Sequence, residues 1–333
     1  MLNLSQAQVH DAVYTGIVHG NKNSAGVANF LAPVVNVDDI SGLTIVMNDD
    51  AFVSPDNLYR APGSNYDYYT PTFGSRQYSL KQQADAWSVP QEIDRITKTR
   101  AAKLDLRKQA IYTVMRRMEN IWEVEIGNTL TDPANYEASN SIDLSLSPSD
   151  QWDSPVSNVE DQIVQASIII NRQVGIRPNK LLLSEAAFRA LVTNPRIRDF
   201  LPRGTMVTEQ SLANLFRLDE VKVASQTVIT STSGGRKEYV YNNDAILFYA
   251  PGKTEAGLIA SDAANRAEPS FAYQYILKGS PTASQEHFNE LNDTYFGKIK
   301  VERSLELIGL GTNGLLGAGF LWKNVAQKKL TEI

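Results

Sequence analysis

The sequence predicts an α+β protein organised around one long helix. Three observations carry that expectation: apolar residues at helical spacing from Lys98 to Thr131, alternating short helices and strands between Ser157 and Ala250, and a return to long strands from Ser270. Leu104, Ile111, Met115, Met118, Trp122 and Ile126 recur three, four or seven residues apart, which places them on one face of a helix that must be buried. Pro90 with Thr97 and Thr99 offers a start. Thr131-Asp132-Pro133 offers a stop, since the residue before proline is driven out of the helical region. Such a spine would run on the order of 45 Å.

Its charges run against the helix dipole. Lys98, Arg100, Lys103, Arg107, Lys108, Arg116 and Arg117 crowd the first part around the single acid Asp105, and Glu119, Glu123 and Glu125 follow. One reading is a solvated charged face. The other is a bipolar strip that pairs with a second subunit, which makes Arg116, Arg117, Glu119 and Glu123 candidate interface residues.

In chain order, Met1 to Phe30 is polar and weakly periodic, as expected of an extended arm. Leu31–Val37 and Gly42–Met47 read as short β-branched strands, and Pro62-Gly63 as a break. Across Ser64 to Pro90, Tyr66 and Tyr68 on one side and Tyr78 and Leu80 on the other alternate with polar residues, with Gly74 where a hairpin would turn. A lone hairpin is marginal in water, and large amphipathic aromatics are enriched at interfaces. The expectation is a projecting loop whose Tyr66, Tyr68, Tyr69, Tyr78 and Trp87 pack on another chain. The alternative is a hairpin folded back on its own domain.

Tyr136 to Val156, rich in Ser, Asp and Pro, reads as a connection into a second unit. Ser157 to Glu160 has capping-box spacing before the stripe Val159, Ile163, Ala166, Ile170, Val174, which Gly175 ends. Lys180–Ser184 reads as a buried strand and Ser184 as the cap of a helix reaching Val192, stopped by Asn194-Pro195. A helix over 208–216 and strands over 220–229, 237–241 and 245–250, around a Ser233-Gly234-Gly235 turn, complete an α/β unit with a small mixed sheet. Strands over 271–277 and 296–308 then frame a polar loop.

Composition excludes several chemistries. The 333 residues contain no cysteine, so disulfides and thiolate metal sites are ruled out. A net charge of -5 argues against a protein whose main task is gripping nucleic acid on a basic surface. No run of 18 apolar residues exists and no basic-then-apolar leader opens the chain, so neither a membrane span nor a signal peptide is expected. His10, His19 and His287 show no metal-ligand spacing. Gly309-Leu-Gly311-Thr-Asn-Gly314 fits the dinucleotide-binding glycine pattern, but the acid-bearing strand needed about 20 residues on is missing, and a flexible turn explains the same glycines. No catalytic, cofactor or metal site is expected.

The order of these segments resembles the major capsid protein of tailed bacteriophages, the Johnson or Hong Kong fold. The resemblance is carried by Ala32-Pro-Val-Val-Asn-Val37, Arg60-Ala-Pro-Gly63, Gln151-Trp152-Asp153, Gly175-Ile-Arg-Pro-Asn-Lys-Leu-Leu-Leu183, Asn194-Pro-Arg-Ile197 and Glu268-Pro-Ser-Phe-Ala-Tyr273, from about Ala32 to Val325. It implies an N-terminal arm (1–36), peripheral strands (37–63), an extended loop (64–90) lying over a neighbour, a peripheral domain with the spine (91–155), an axial domain (156–269), further peripheral strands (270–310) and a C-terminal return to the axial domain (311–333). It also implies self-assembly into hexamers and pentamers of an icosahedral virion shell around double-stranded DNA, in the host cytoplasm. Portal and scaffolding proteins would be partners, with a decoration protein as a further candidate and loose, non-specific contact to DNA. Some relatives join a loop lysine to a neighbour's asparagine. Lys81 is the only lysine of 64–90, and nothing in the sequence marks a desolvated glutamate beside Asn289 or Asn292, so no covalent cross-link is expected. Two alternatives are an encapsulin, which shares the fold, and a soluble α/β enzyme.

Overall fold

The computed structural model describes residues 26–47, 59, 73–99, 105–202, 206–229, 237–251, 270–309 and 314–327. The chain opens with α1 (Ala28–Leu31), β1 (Val34–Val37), β2 (Ser41–Met47), β3 (Phe73–Ser79), β4 (Lys81–Pro90), α2 (Gln91–Thr99) and the spine α3 (Leu106–Leu130). After β5 (Ser141–Asp143) come α4 (Val159–Val174), β6 (Lys180–Ser184), α5 (Glu185–Thr193), α6 (Pro195–Phe200), α7 (Glu209–Phe216), β7 (Glu220–Ala224), β8 (Thr227–Ile229), β9 (Lys237–Tyr239) and β10 (Ala245–Phe248). The described chain ends with β11 (Ala272–Leu277), β12 (Thr282–Ala283), β13 (His287–Asn289), β14 (Thr294–Leu307) and β15 (Gly319–Lys323).

The spine has 25 residues, and a helix of that length spans about 37 Å. It starts later than its charge pattern suggests, because Asp105, the lone acid of the basic run, is its N-cap: the carboxylate accepts from the Lys108 N–H. Ile111, Met115, Met118, Trp122 and Ile126 are buried as their spacing requires, joined by Val114 and Leu130. Leu104 lies outside the described residues. The buried face divides between two clusters. Its first half packs on Trp87, Val89, Ile299 and Val301, and its second on Phe30, Leu31, Tyr241 and Phe271. The second of these clusters also takes in Leu182, Ile246, Phe248 and Leu321, so the spine shares a core with strands it does not itself lie along.

In the first sheet, of order β1-β11-β14-β12, the 14-residue β14 also pairs with β13 and, over ten positions from Thr294↔Pro90 to Arg303↔Lys81, with β4. The second is the mixed sheet β5-β15-β10-β6-β7, into which the C-terminal strand β15 inserts between β5 and β10. The described chain thus passes from the first sheet into the second.

Local details depart from the sequence expectations in three places. Gly74 does not turn a hairpin. It lies inside β3 opposite Val46, in an antiparallel ribbon that runs from Ser41↔Ser79 to Met47↔Phe73. The pairing that forms is between segments about thirty residues apart, and β2 brings the consecutive β-branched residues Thr44, Ile45 and Val46 to it. Ser157 does not cap α4. Its hydroxyl donates to the Asp150 carbonyl (2.9 Å) and Asn158 takes the cap position, while Gly175 closes the helix in the left-handed region at φ 73°. The strand expected over 220–229 is broken into β7 and β8, which enter different sheets. Elsewhere local chemistry decides as expected: Ser184 caps α5 through the Ala187 N–H, and Asn194 both ends α5 and caps α6.

Candidate subunit-interface surface on the spine helix

The inward side of the spine is fastened by charges. Glu123 is 2% exposed and its carboxylate accepts from the N–H groups of Val27 and Ala28 (both 3.0 Å) and from the Tyr241 hydroxyl (2.9 Å). Burial pushes this carboxyl above its ordinary range, and the three donors pull it partway back. One turn earlier, Glu119 accepts from Arg303 Nη1 (2.9 Å). Arg303 is 3% exposed, lies 4.5 Å over the Trp122 ring, and also donates to the Met118 carbonyl and to Gln83 Oε1. Burial lowers its pKa, with Glu119 opposing. Arg107 joins Asp94 (2.8 Å) to Glu286 (2.6 Å) above the Tyr295 ring, and those two carboxylates outweigh its desolvation and raise its pKa.

These contacts fix where the expected interface residues lie. Glu119 and Glu123 are engaged inside their own chain. So are Tyr78, stacked 5.1 Å from Tyr275, and Trp87, buried against the spine and over Gly297. Tyr66, Tyr68 and Tyr69 lie outside the described residues. The segment 64–90 is therefore not one projecting loop, because Tyr78, Leu80, Trp87 and Val89 belong to the chain's own core.

Arg116 and Arg117 point the other way. They line a cleft of about 1000 Å³ between the outer face of α3 and the β8–β9 ribbon, with Tyr112, Ile121 and Val124 from the helix and Thr227, Val228 and Lys237 from the ribbon. Gln226 holds the ribbon against the helix by donating to Asn120 Oδ1 (2.7 Å), and Arg117 Nη1 meets Asp85 at 3.3 Å. Tyr112 and Ile121 are exposed, so the cleft combines apolar surface with a cationic lining. Sequence reasoning found the two arginines but missed Tyr112, Ile121 and Lys237. The available signal was two large apolar residues off the buried stripe of an amphipathic helix.

Among the described residues no group of three or more His, Asp or Glu side chains could hold a metal, and no helix is long and apolar enough to cross a membrane. Of the glycine-pattern residues, Gly309 is packed and Gly314 takes a left-handed turn, while Gly311 lies outside the described residues. A Cβ on Gly309 would meet Ala318 Cβ at 2.2 Å, and Gly314 has φ 74°.

No family model matches the chain. It is 22% identical over 315 residues to the major capsid protein of Burkholderia phage BcepMu, covering 92% of this chain and 94% of that one. Among solved structures, a phage-related protein from Bordetella bronchiseptica superposes with a TM-score of 0.75 at 23% identity, over 97% of this chain and 99% of that one. A Mycobacterium phage Bobi chain matches at TM-score 0.52 and 10% identity, over 91% and 92% of the two chains. This chain has the Johnson capsid fold. The same fold in the SrpI encapsulin of Synechococcus elongatus matches at TM-score 0.51 and 12% identity, over 95% of this chain and 97% of that one.

Proposed function

We propose that this chain is the major capsid protein of a tailed phage, a structural rather than catalytic protein that closes into a shell of hexamers and pentamers around double-stranded DNA. The observation that carries the reading is its likeness to a phage major capsid protein over nearly the full length of both chains. On this reading the first sheet with the spine is the peripheral domain and the second sheet the axial domain, with β15 the C-terminal return. The cationic cleft on the spine, Arg116 and Arg117 foremost, is the subunit-facing surface. Portal and scaffolding proteins are the further partners, and the virion shell is where the chain works. The BcepMu relative and the higher TM-score of the phage-related protein favour a phage shell over an encapsulin.

The test is expression with and without a scaffolding partner, followed by size exclusion and electron microscopy. Closed shells support the proposal. A well-folded monomer or dimer under every assembly condition overturns it. Particles isolated from infected cells should absorb strongly at 260 relative to 280 nm, and nucleic-acid-free shells carrying a protein cargo would favour the encapsulin.

A further inference from the structure

In the first sheet β4 is the outermost strand on its side, and among the described residues it pairs with β14 alone, over ten positions. The other outer strands of that sheet are short: β1 has four residues, β12 two and β13 three. A strand the length of β4 presents an edge about 33 Å long, and a long edge is a template on which another chain can pair. The ladder fixes which backbone groups form that edge. The Gln91 N–H donates to the Asp293 carbonyl (2.8 Å), in register with Pro90↔Thr294, so the odd-numbered residues of β4 bond to β14. The even-numbered ones, Gln82, Ala84, Ala86, Ser88 and Pro90, are exposed and turn their backbone groups outward.

Two of those five positions offer an incoming strand no donor. Pro90 has no N–H. The Ala86 N–H, at the middle of the strand, already donates to Asp85 Oδ1 (2.9 Å), and Asp85 Oδ2 is held 3.3 Å from Arg117 Nη1 on the spine. We propose that Asp85 closes the β4 edge against pairing with the same edge of a second copy of this chain, with Pro90 closing its end. An arriving carbonyl would meet a carboxylate oxygen where it needs the Ala86 N–H, acceptor against acceptor. Pairing through that point would strip water from the charge or draw Asp85 off Arg117. The outward N–H groups that remain, of Gln82 and Ala84 before it and Ser88 after it, are split into stretches too short to hold a strand. Packing gives no other reason for this residue. Its neighbours on the inward face, Trp87 and Val89, are buried against the spine, aspartate is depleted in strands, and an ion pair whose arginine side chain is 69% exposed stabilises little by itself.

Pairing at this edge is independent of whether the chain builds a shell, so the test uses the soluble full-length subunit, with wild type as the baseline. Size exclusion with light scattering is run over a concentration series, and circular dichroism checks folding. Asp85→Ala should raise the fraction of dimers and larger species about tenfold at equal concentration. Asp85→Asn, which keeps an acceptor for the Ala86 N–H, and Arg117→Ala, which leaves the carboxylate in place, should each raise it far less. Adding Ala84→Pro or Ser88→Pro to Asp85→Ala removes an outward N–H without taking a donor from the β4–β14 ladder, and should return association to the wild-type level. Association in Asp85→Ala equal to wild type, or association that neither proline reverses, overturns the proposal. If Asp85→Ala does not fold, amide hydrogen exchange of the wild-type chain decides: Ala86 should exchange about tenfold more slowly than Ala84 and Ser88, which face the same way, and equal rates would overturn the proposal.

Discussion

Burial changes the titration of Asp244. It is 8% exposed, and burial lifts its pKa from 3.8 to about 6 against the pull of Lys323 and the Asn324 N–H. Because the folded value lies above the unfolded one, the folded chain binds the extra proton, and stability falls as pH rises from about 4 through about 6. Above that the ionised group costs at most about 3 kcal/mol. Asp244→Asn should therefore raise the melting temperature at pH 8, with the gain shrinking towards pH 4.5. Thermal melts across that range check it, and a variant less stable than wild type at pH 8 would show that the Lys323 attraction outweighs the burial. Gly297 makes a steric prediction. A Cβ there would meet Trp87 at 2.4 Å, inside the β4–β14 ladder, so Gly297→Ala should destabilise by roughly 1 to 3 kcal/mol in urea unfolding.

At the scale of elements, the spine is held by its cap and by what lies beneath it. Asp105→Ala removes the acceptor for the Lys108 N–H and should lower stability by about 1 kcal/mol, read as a shift in urea midpoint with unchanged slope. The paired segment after Gly74 behaves differently from the connection before it. Replacing residues 48–72 by a short turn should leave the far-ultraviolet circular dichroism and cooperative unfolding intact while abolishing shells. Extending the deletion to Trp87 should unfold the chain, because Tyr78, Leu80 and Trp87 are core. Equal folding of the two deletions would refute this division.

For the whole molecule, the expected assembly is non-covalent. The Lys81 side chain is 77% exposed and its ammonium lies 3.8 Å from Glu125, a solvated ion pair rather than a desolvated amine beside a buried carboxylate. Boiling mature particles in detergent should give a single band at the chain mass of 36.9 kDa. A ladder of multimers would establish cross-linking.

The sequence by itself determined the elements whose cause is local. The buried stripe from Ile111 to Ile126, the Gly175 stop and the Ser184 cap all follow from side-chain spacing and backbone hydrogen bonding within a few residues. The segment order was also enough to suggest the capsid fold. Tertiary structure alone decided which segments pair and which charges turn inward. Whether β3 meets β2 or a nearer strand, and whether Glu123 faces solvent or the Val27 and Ala28 amides, depends on partners about thirty and about a hundred residues away. A buried carboxylate and an exposed one have the same sequence signature. What separates them is the desolvation that arises only once the N-terminal segment, the spine and the second sheet close around the same point.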